Sequence, residues 1–346
     1  MDWSLKLRRA FARCAYLSGV YESSPRGQAV ILMYHRVLPS AVAESLNVQP
    51  GMYVDDGVFR TQVSYLAESF ETLGLEALLE RCSQGDLDPT KKYCTITFDD
   101  GWRDNYLYAF PTLRAYGAPA TIFLVGDYLG TDRRFWFDRL SGALGRLRRL
   151  DRRQPLLESL GELFRAEGIE PARLRGWFSG WDRDPVLTAD RVIGEFKKLP
   201  PETGEQLIGR MERLLGLPAS AERALLNWEE IGEMARAKIC FGSHSASHSI
   251  LPGLTPERLR EEIDRSFRLM QENRERNFIP VFAYPNGEFD ERVARQVCAS
   301  GFRAALTTRR GYVEKPMTHR YAVNRVGIHN DMTSSIPMFA RRLGRR

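Results

Sequence analysis

Tyr93-Cys94-Thr95-Ile96-Thr97-Phe98-Asp99-Asp100-Gly101 is the segment on which the reading of this chain turns. Its first six residues are rich in β-branched and aromatic side chains, as a buried strand requires. The strand then stops at two carboxylates and a glycine. Successive strand residues point to opposite sides, so adjacent aspartates there have different jobs. They do not suit a glycosidase pair, whose carboxylates flank a bond from opposing sides at about 5–9.5 Å. One carboxylate on a metal ion, with the other acting as a base, is the better use.

The same strand composition returns at residues 29–34 (AVILMY), 120–125 (ATIFLV), 238–242 (KICFG), 278–283 and 302–307. Helical signals lie between these runs. Asp55 or Asp56 can cap a helix with Phe59, Val63 and Leu66 on one face, and Gly117 closes another. Asn227 with Glu230 forms a capping pair, Thr255-Pro256 opens a helix carrying Ile263, Phe267 and Met270, and Gly301 stops a helix over 290–300. Strands alternating with helices imply parallel β/α units in an α/β fold. Residues 131–226 break the alternation: Leu, Arg and Glu dominate, and apolar residues fall at helical spacing.

Composition limits the alternatives. The 346 residues are 43% hydrophobic and 27% charged, which excludes a disordered, collagenous or disulfide-framed chain. The net charge of +6 is concentrated at the ends, with +3 in residues 1–14 and +4 in residues 341–346, leaving the body at −1. Basic motifs interleaved with aromatics are absent from that body, so nucleic acid is not an expected partner. The five cysteines form no C-x-x-C pair, and reduced, buried thiols are expected. No apolar run reaches the ~18 residues of a membrane span. Arg13 interrupts the one candidate signal segment, so a cytoplasmic enzyme is expected. Trp3, Leu7, Ala10, Cys14 and Leu17 recur at helical spacing beside Lys6, Arg9 and Arg13. That stripe suits either a helix lying on an anionic membrane surface or one packed on its own domain.

Two further strand ends carry chemistry. His244-Ser-Ala-Ser-His248 places two imidazoles four residues apart, which on one face of a helical turn can chelate a divalent ion. Phe282-Ala283-Tyr284-Pro285-Asn286-Gly287 follows a strand with a tight turn that can present a backbone N–H to an oxyanion.

Taken together, T-F-D-D-G, H-S-x-x-H and the Y-P-x-G turn resemble the polysaccharide deacetylase family, also called the NodB-homology or carbohydrate esterase family four group. The resemblance implies a distorted (β/α) barrel with fewer strands than a TIM barrel, and hydrolysis of N-acetyl groups on amino sugars. It implies Asp100, His244 and His248 as ligands of one divalent metal, zinc being the expected ion and Co2+, Ni2+ or Mn2+ alternatives. Asp99 is then the general base and the Asn286 N–H the oxyanion donor. The chain departs from the family pattern where an arginine often orients the base: Ala283 stands there, and Arg325 is either its replacement or an ordinary surface arginine. The general acid is either His35, in an N-terminal Met33-Tyr34-His35 segment resembling that of exopolysaccharide deacetylases, or His329 in a reduced final motif. Trp102, Tyr106 and Trp136 are available to stack on a sugar, and Tyr284 and Pro285 are counted with Trp102 as substrate-binding.

The expected organisation is a basic amphipathic helix over 1–28, barrel segments over 29–130 and 227–335, a helical insertion over 131–226 and a basic tail over 336–346. The expected substrate is an N-acetylated amino sugar in a polysaccharide, oligosaccharide or lipid-linked precursor, with the basic tails as possible membrane-surface contacts. A deformylase or other amidase on a lipid-linked sugar, and a non-catalytic glycan-binding protein on the same fold, are the alternatives.

Overall fold

A computed structural model describes residues 26–150, 154–179, 184–217 and 222–344, together with Ala12, Cys14 and Trp181. The helix expected over residues 1–28 therefore lies almost wholly outside the described residues. Two compact units are formed, one from residues up to Pro39, Pro50–Thr131 and Ala224 onward, the other from Ser40–Gln49 and Asp132–Arg223.

Among the described residues the first unit carries ten strands: β1 (Ala29–Tyr34), β2 (Arg36–Leu38), β3 (Tyr53–Asp55), β4 (Glu71–Thr72), β5 (Tyr93–Phe98), β6 (Ala120–Leu124), β7 (Ile239–Ser243), β8 (Phe278–Ala283), β9 (Ala304–Arg310) and β10 (Val323–Gly327). Seven of them run parallel around a closed ring in the order β1-β10-β9-β8-β7-β6-β5, and β5 pairs back onto β1 along its whole length. β4 pairs with the first residues of β5, while β2 and β3 make a separate parallel pair. The chain is thus an α/β protein with a seven-stranded parallel barrel.

The period of two explains why these runs are almost entirely apolar. In β1, Val30, Leu32 and Tyr34 pack outside the barrel with Phe59, Val63 and Leu66 of the helix Asp56–Ser69. Ala29 and Ile31 alternate inward, to meet Phe123, Val281, Ala283, Leu306 and Val323. Both faces are buried, as in parallel sheets covered by helices. Leu75, Leu78, Leu79 and Cys82 of the helix Leu75–Gln84 join the inner cluster and close the end where the strands begin. Gly242 is required in β7, because a Cβ there would stand 2.5 Å from the Phe123 ring that fills the barrel.

Local signals set the flanking helices. Asp55 accepts from the Gly57 and Val58 amides to start the helix Asp56–Ser69. Asn227 and Glu230 complete a capping box on Trp228–Ala235, and Gly117 ends Phe110–Tyr116 in a left-handed conformation. The segment expected to be a basic tail is instead largely a helix, Ile336–Leu343. Its Met338, Phe339, Ala340 and Leu343 are buried, and Phe339 and Leu343 join the barrel's outer core.

The second unit is helical: Ser40–Ser45, Trp136–Arg148, Gln154–Ala166, Pro171–Trp177, Pro185–Phe196 and Pro201–Leu214. Leu140, Leu144 and Leu147, at helical spacing, pack with Phe164, Trp177, Val192, Phe196, Leu207 and Met211 in a core of its own. Residues 40–49, read from sequence as part of the barrel, belong here. Asn47 Nδ2 donates to Ser141 O (2.8 Å) and Ser141 Oγ donates to Asn47 O (2.6 Å). At the other boundary, residues 224–226 belong with the barrel: Arg103 N donates to Ala224 O (2.8 Å) and Leu226 N to Gly101 O (2.9 Å).

Candidate active site

In a parallel barrel the carboxyl ends of all strands share one rim, and side chains following different strands converge there. Asp100, His244 and His248, following β5 and β7, meet in this way. Asp100 Oδ1 lies 3.4 Å from His244 Nε2 and 3.3 Å from His248 Nε2, and the three ligand atoms all fall within 4.8 Å of one another. A tetrahedral zinc ion with bonds of about 2.0–2.2 Å holds its ligand atoms about 3.3 Å apart, so this donor set fits one divalent cation. The tautomer fits as well. His244 Nδ1 lies 2.8 Å from Ala283 O, and a carbonyl can only accept, so Nδ1 carries the proton and Nε2 faces the cluster. Burial opposes charge on Asp100, yet the two imidazoles hold its carboxyl well below the usual range.

The local backbone is unusual at the ligands themselves. Asp100 (φ 76°) and His248 (φ 65°) are left-handed non-glycine residues, a conformation costing roughly 1–3 kcal/mol each and concentrated at functional sites. The H-S-x-x-H segment is a loop, not the helical turn expected from its spacing. Its serines account for the difference: Ser245 N donates to Ser243 Oγ (3.2 Å), His248 N to Ser245 Oγ (2.9 Å), and Ser247 N to Glu262 Oε1 (2.6 Å).

Asp99 is turned to a different partner. Arg325, wholly buried on β10, donates from Nη1 to Asp99 Oδ1 and from Nη2 to Asp99 Oδ2, both at 2.7 Å. Its Nε donates to Thr307 O (2.9 Å), and its guanidinium lies 5.7 Å from the Phe123 ring. Arg325 is therefore not a surface arginine. Burial works to raise the Asp99 carboxyl, but the charges of Arg325, His244 and His35 outweigh it and hold the group below its usual range. Asp99 is thus a fixed, ionised carboxylate next to the donor cluster.

The two candidate acids have different surroundings. His35, following β1, feels the charges of Asp100, Asp99, Arg325 and His244, while burial makes the largest contribution and lowers its pKa. Its carbonyl accepts from Asn105 Nδ2 (2.9 Å), which ties the segment to the loop after Asp100. His329 instead pairs through Nδ1 with Asp331 (2.5 Å).

The residues expected to meet a sugar have these surroundings. Trp102 is 1% exposed; its Nε1 donates to Asp100 Oδ2 (2.8 Å), and the Arg36 guanidinium covers its ring at 4.1 Å. Its side chain has no open face for a sugar and instead holds the second oxygen of Asp100. Tyr284 is buried against Phe289, with its hydroxyl donating to Tyr321 O (3.0 Å), and Pro285 is buried at the start of the turn. Tyr106 donates to Glu233 (2.6 Å), and Trp136 packs on Phe137 in the helical unit. Asn286 is exposed at φ 55°, followed by Gly287 at φ 72°, where a Cβ would collide with Thr308. Sequence reading missed Arg36 and Asp104, a buried pair (2.7 Å) whose carboxylate also accepts from Val37 N. Asp104, two residues after D-D-G-W, and Arg36, next to the candidate acid His35, were the available signals.

Known proteins place this arrangement. The family profile described as polysaccharide deacetylase matches residues 86–154 and 206–305. YxkH of Bacillus subtilis (strain 168), named as a polysaccharide deacetylase, is 22% identical over 306 residues, covering 88% of this chain and 73% of its own. Among solved structures, the Streptococcus pyogenes deacetylase PplD in complex with acetate superposes with a TM-score of 0.58 at 18% identity, covering 93% of this chain and 100% of that one. IcaB from Ammonifex degensii gives 0.54 at 18% identity, covering 91% and 97%. These two likenesses show the fold, and the profile and named relative extend it to the chemistry. The chain belongs to the polysaccharide deacetylase family, hydrolases acting on N-acetyl amides.

Proposed function

We propose that this chain removes N-acetyl groups from an amino sugar in a glycan, using one divalent ion held by Asp100, His244 and His248, with zinc as the resident metal. The observation that carries the reading is a buried carboxylate, Asp99, clamped in bidentate fashion by Arg325 beside a three-residue donor set. When bound, a divalent ion polarises the amide carbonyl and makes a water more acidic. Asp99 accepts the proton of the attacking water, its geometry fixed by Arg325. The Asn286 N–H donates to the carbonyl oxygen as charge develops there. His35 gives a proton to the amine nitrogen as the C–N bond breaks, releasing acetate and a free amino sugar.

Asp99→Asn keeps the shape and removes the base. It is expected to retain metal while acetate release falls by about 10²–10⁴-fold. Wild-type rates in that variant would overturn the role of Asp99, and release of formate rather than acetate would change the leaving acyl group. The basic ends fit a cytoplasmic enzyme resting on a membrane surface that carries its substrate. Membrane fractionation unaltered by deletion of residues 1–20 together with 345–346, a cut that leaves the buried Leu343 in place, would remove that part of the reading.

A further inference from the structure

The rim of the barrel is used unevenly. Around the ring, the groups assigned to deacetylation follow β5 (Asp99, Asp100), β1 (His35), β8 (Asn286) and β7 (His244, His248), while Arg325 reaches Asp99 from within β10 and not from beyond its end. Between β1 and β8 the rim is built by the ends of β10 and β9, and there its side chains become basic. A cavity of about 370 Å³ lies at this place, lined by Arg310, Arg341, Arg342, Asp331, Met332 and Met338. Three guanidiniums and one carboxylate make it electropositive, although residues 15–340 as a whole carry −1.

The cavity is anchored to the strand ends. Arg310 is the last residue of β9, and its Nη2 donates to Arg342 O (2.9 Å) and Gly344 O (3.2 Å). Arg342 Nε donates to Gly327 O (3.0 Å), the last residue of β10. Main-chain carbonyls thus hold two of the guanidiniums in place, which lowers the ordering cost of binding a ligand. Asp331 is the partner of His329, so the cavity adjoins the rim histidine that the deacetylation chemistry leaves unused.

We propose that this cavity is an anion subsite, taking a phosphate or carboxylate carried on the glycan beside the N-acetylated sugar. Guanidinium forks match such oxyanions in geometry as well as charge. Met332 and Met338 supply an adaptable apolar wall for the ring or aglycone that bears the anion. The inference rests on the deacetylase reading and narrows it, from an N-acetylated glycan to an anionic one.

The test uses the full chain with its metal and three matched N-acetylated oligosaccharides: one uncharged, one bearing a phosphomonoester, one bearing a glucuronate. The ratio of kcat/KM for charged over uncharged substrate is measured for the wild type, Arg341→Gln and Arg310→Gln/Arg341→Gln, with thermal unfolding of each. A fall in this ratio of about tenfold or more, carried by KM, supports the subsite, as expected for lost hydrogen bonds to a charged group. The substrate that responds identifies the anion. An unchanged ratio for both charged substrates overturns the proposal, including where lower stability reduces all three rates alike. If no substrate releases acetate, the deacetylase reading fails by itself, and titration calorimetry with inorganic phosphate decides the subsite. Phosphate binding by the wild type that the variants lose supports it, and absence of binding overturns it.

Discussion

The two compact units bury different kinds of residue. The core of the helical unit is aliphatic and aromatic, and its buried carboxylate among the described residues, Asp138, is paired with Arg134 four residues away. The barrel unit buries Arg36, Asp99, Asp100, Asp104, His244 and Arg325 on or close to the carboxyl ends of strands, and Glu230 and Glu262 on its helices, where they cap Trp228–Ala235 and hold Ser247. Charge is costly to bury unless it is paired, so a concentration of it at one end of a barrel marks where the molecule is built for chemistry and not for stability alone. Apolar burial in the helical unit carries no such mark, and its changes should be read as stability.

The largest effect that sharpens this contrast is expected at His35. His35→Ala should lower kcat for acetate release by about 10²–10⁴-fold, as loss of a general acid does, whereas His329→Ala should cost less than about tenfold. The reverse order in steady-state rates would move the acid to β10. Arg325→Met comes next. It strands a buried carboxylate, and breaking such a pair costs about 3–5 kcal/mol of stability, read from denaturant unfolding. With the guanidinium gone, burial is opposed only by the charges of His244 and His35 among the named groups, so the Asp99 carboxyl rises and the acid limb of the pH–rate profile should move to higher pH. Arg325→Lys should restore charge but not the fork, recovering only part of either loss.

Leu144→Ala probes the other region. Deleting a fully buried leucine should cost the helical unit about 2–5 kcal/mol, with metal affinity of the barrel donors unaltered in equilibrium dialysis. An accompanying loss of metal would break the contrast. Trp102→Phe keeps a smaller aromatic ring and deletes the N–H that holds Asp100 Oδ2, and should weaken metal binding about 10–100-fold, as loss of such a supporting hydrogen bond does.

The smallest effect is at the thiols. Burial pushes Cys82 up to about 11 and Cys94 up to about 12. A thiol raised above its unfolded value of about 8.5 holds its proton more tightly when folded. The stability it contributes is therefore whole below about pH 8.5 and is lost as pH climbs towards the folded value. Thiol reagent at pH 8 should label exposed Cys298 and spare Cys82 and Cys94 until denaturant is added. Prompt labelling of Cys94 in the folded protein would contradict its place in the barrel's outer core.

Much of the site was legible because its parts are local. Asp99-Asp100 and His244…His248 stand immediately after apolar strands, and a strand that ends in polar side chains is visible without any knowledge of its neighbours. β10 was not legible. Val323-Asn324-Arg325-Val326-Gly327 has two apolar side chains and an arginine on its inward face, a pattern that composition assigns to a loop. The serines of the H-S-x-x-H loop likewise hide the fact that side-chain hydrogen bonds, and not helical spacing, bring the imidazoles together. Trp102 looks like a sugar platform until Arg36 is seen covering its ring.

Residue order alone was enough for parallel β/α units, for the turns carrying the carboxylates and imidazoles, and for the helical character of the middle of the chain. Those are consequences of side-chain alternation, spacing and capping, which act over a few residues. Only the closed barrel decides that Arg325 meets Asp99 across 226 positions of sequence, that Ala283 leaves its arginine to be supplied from β10, and that three arginines gather on the remaining rim. Long-range pairing of charge depends on which strand ends closure brings side by side, and no local pattern records that.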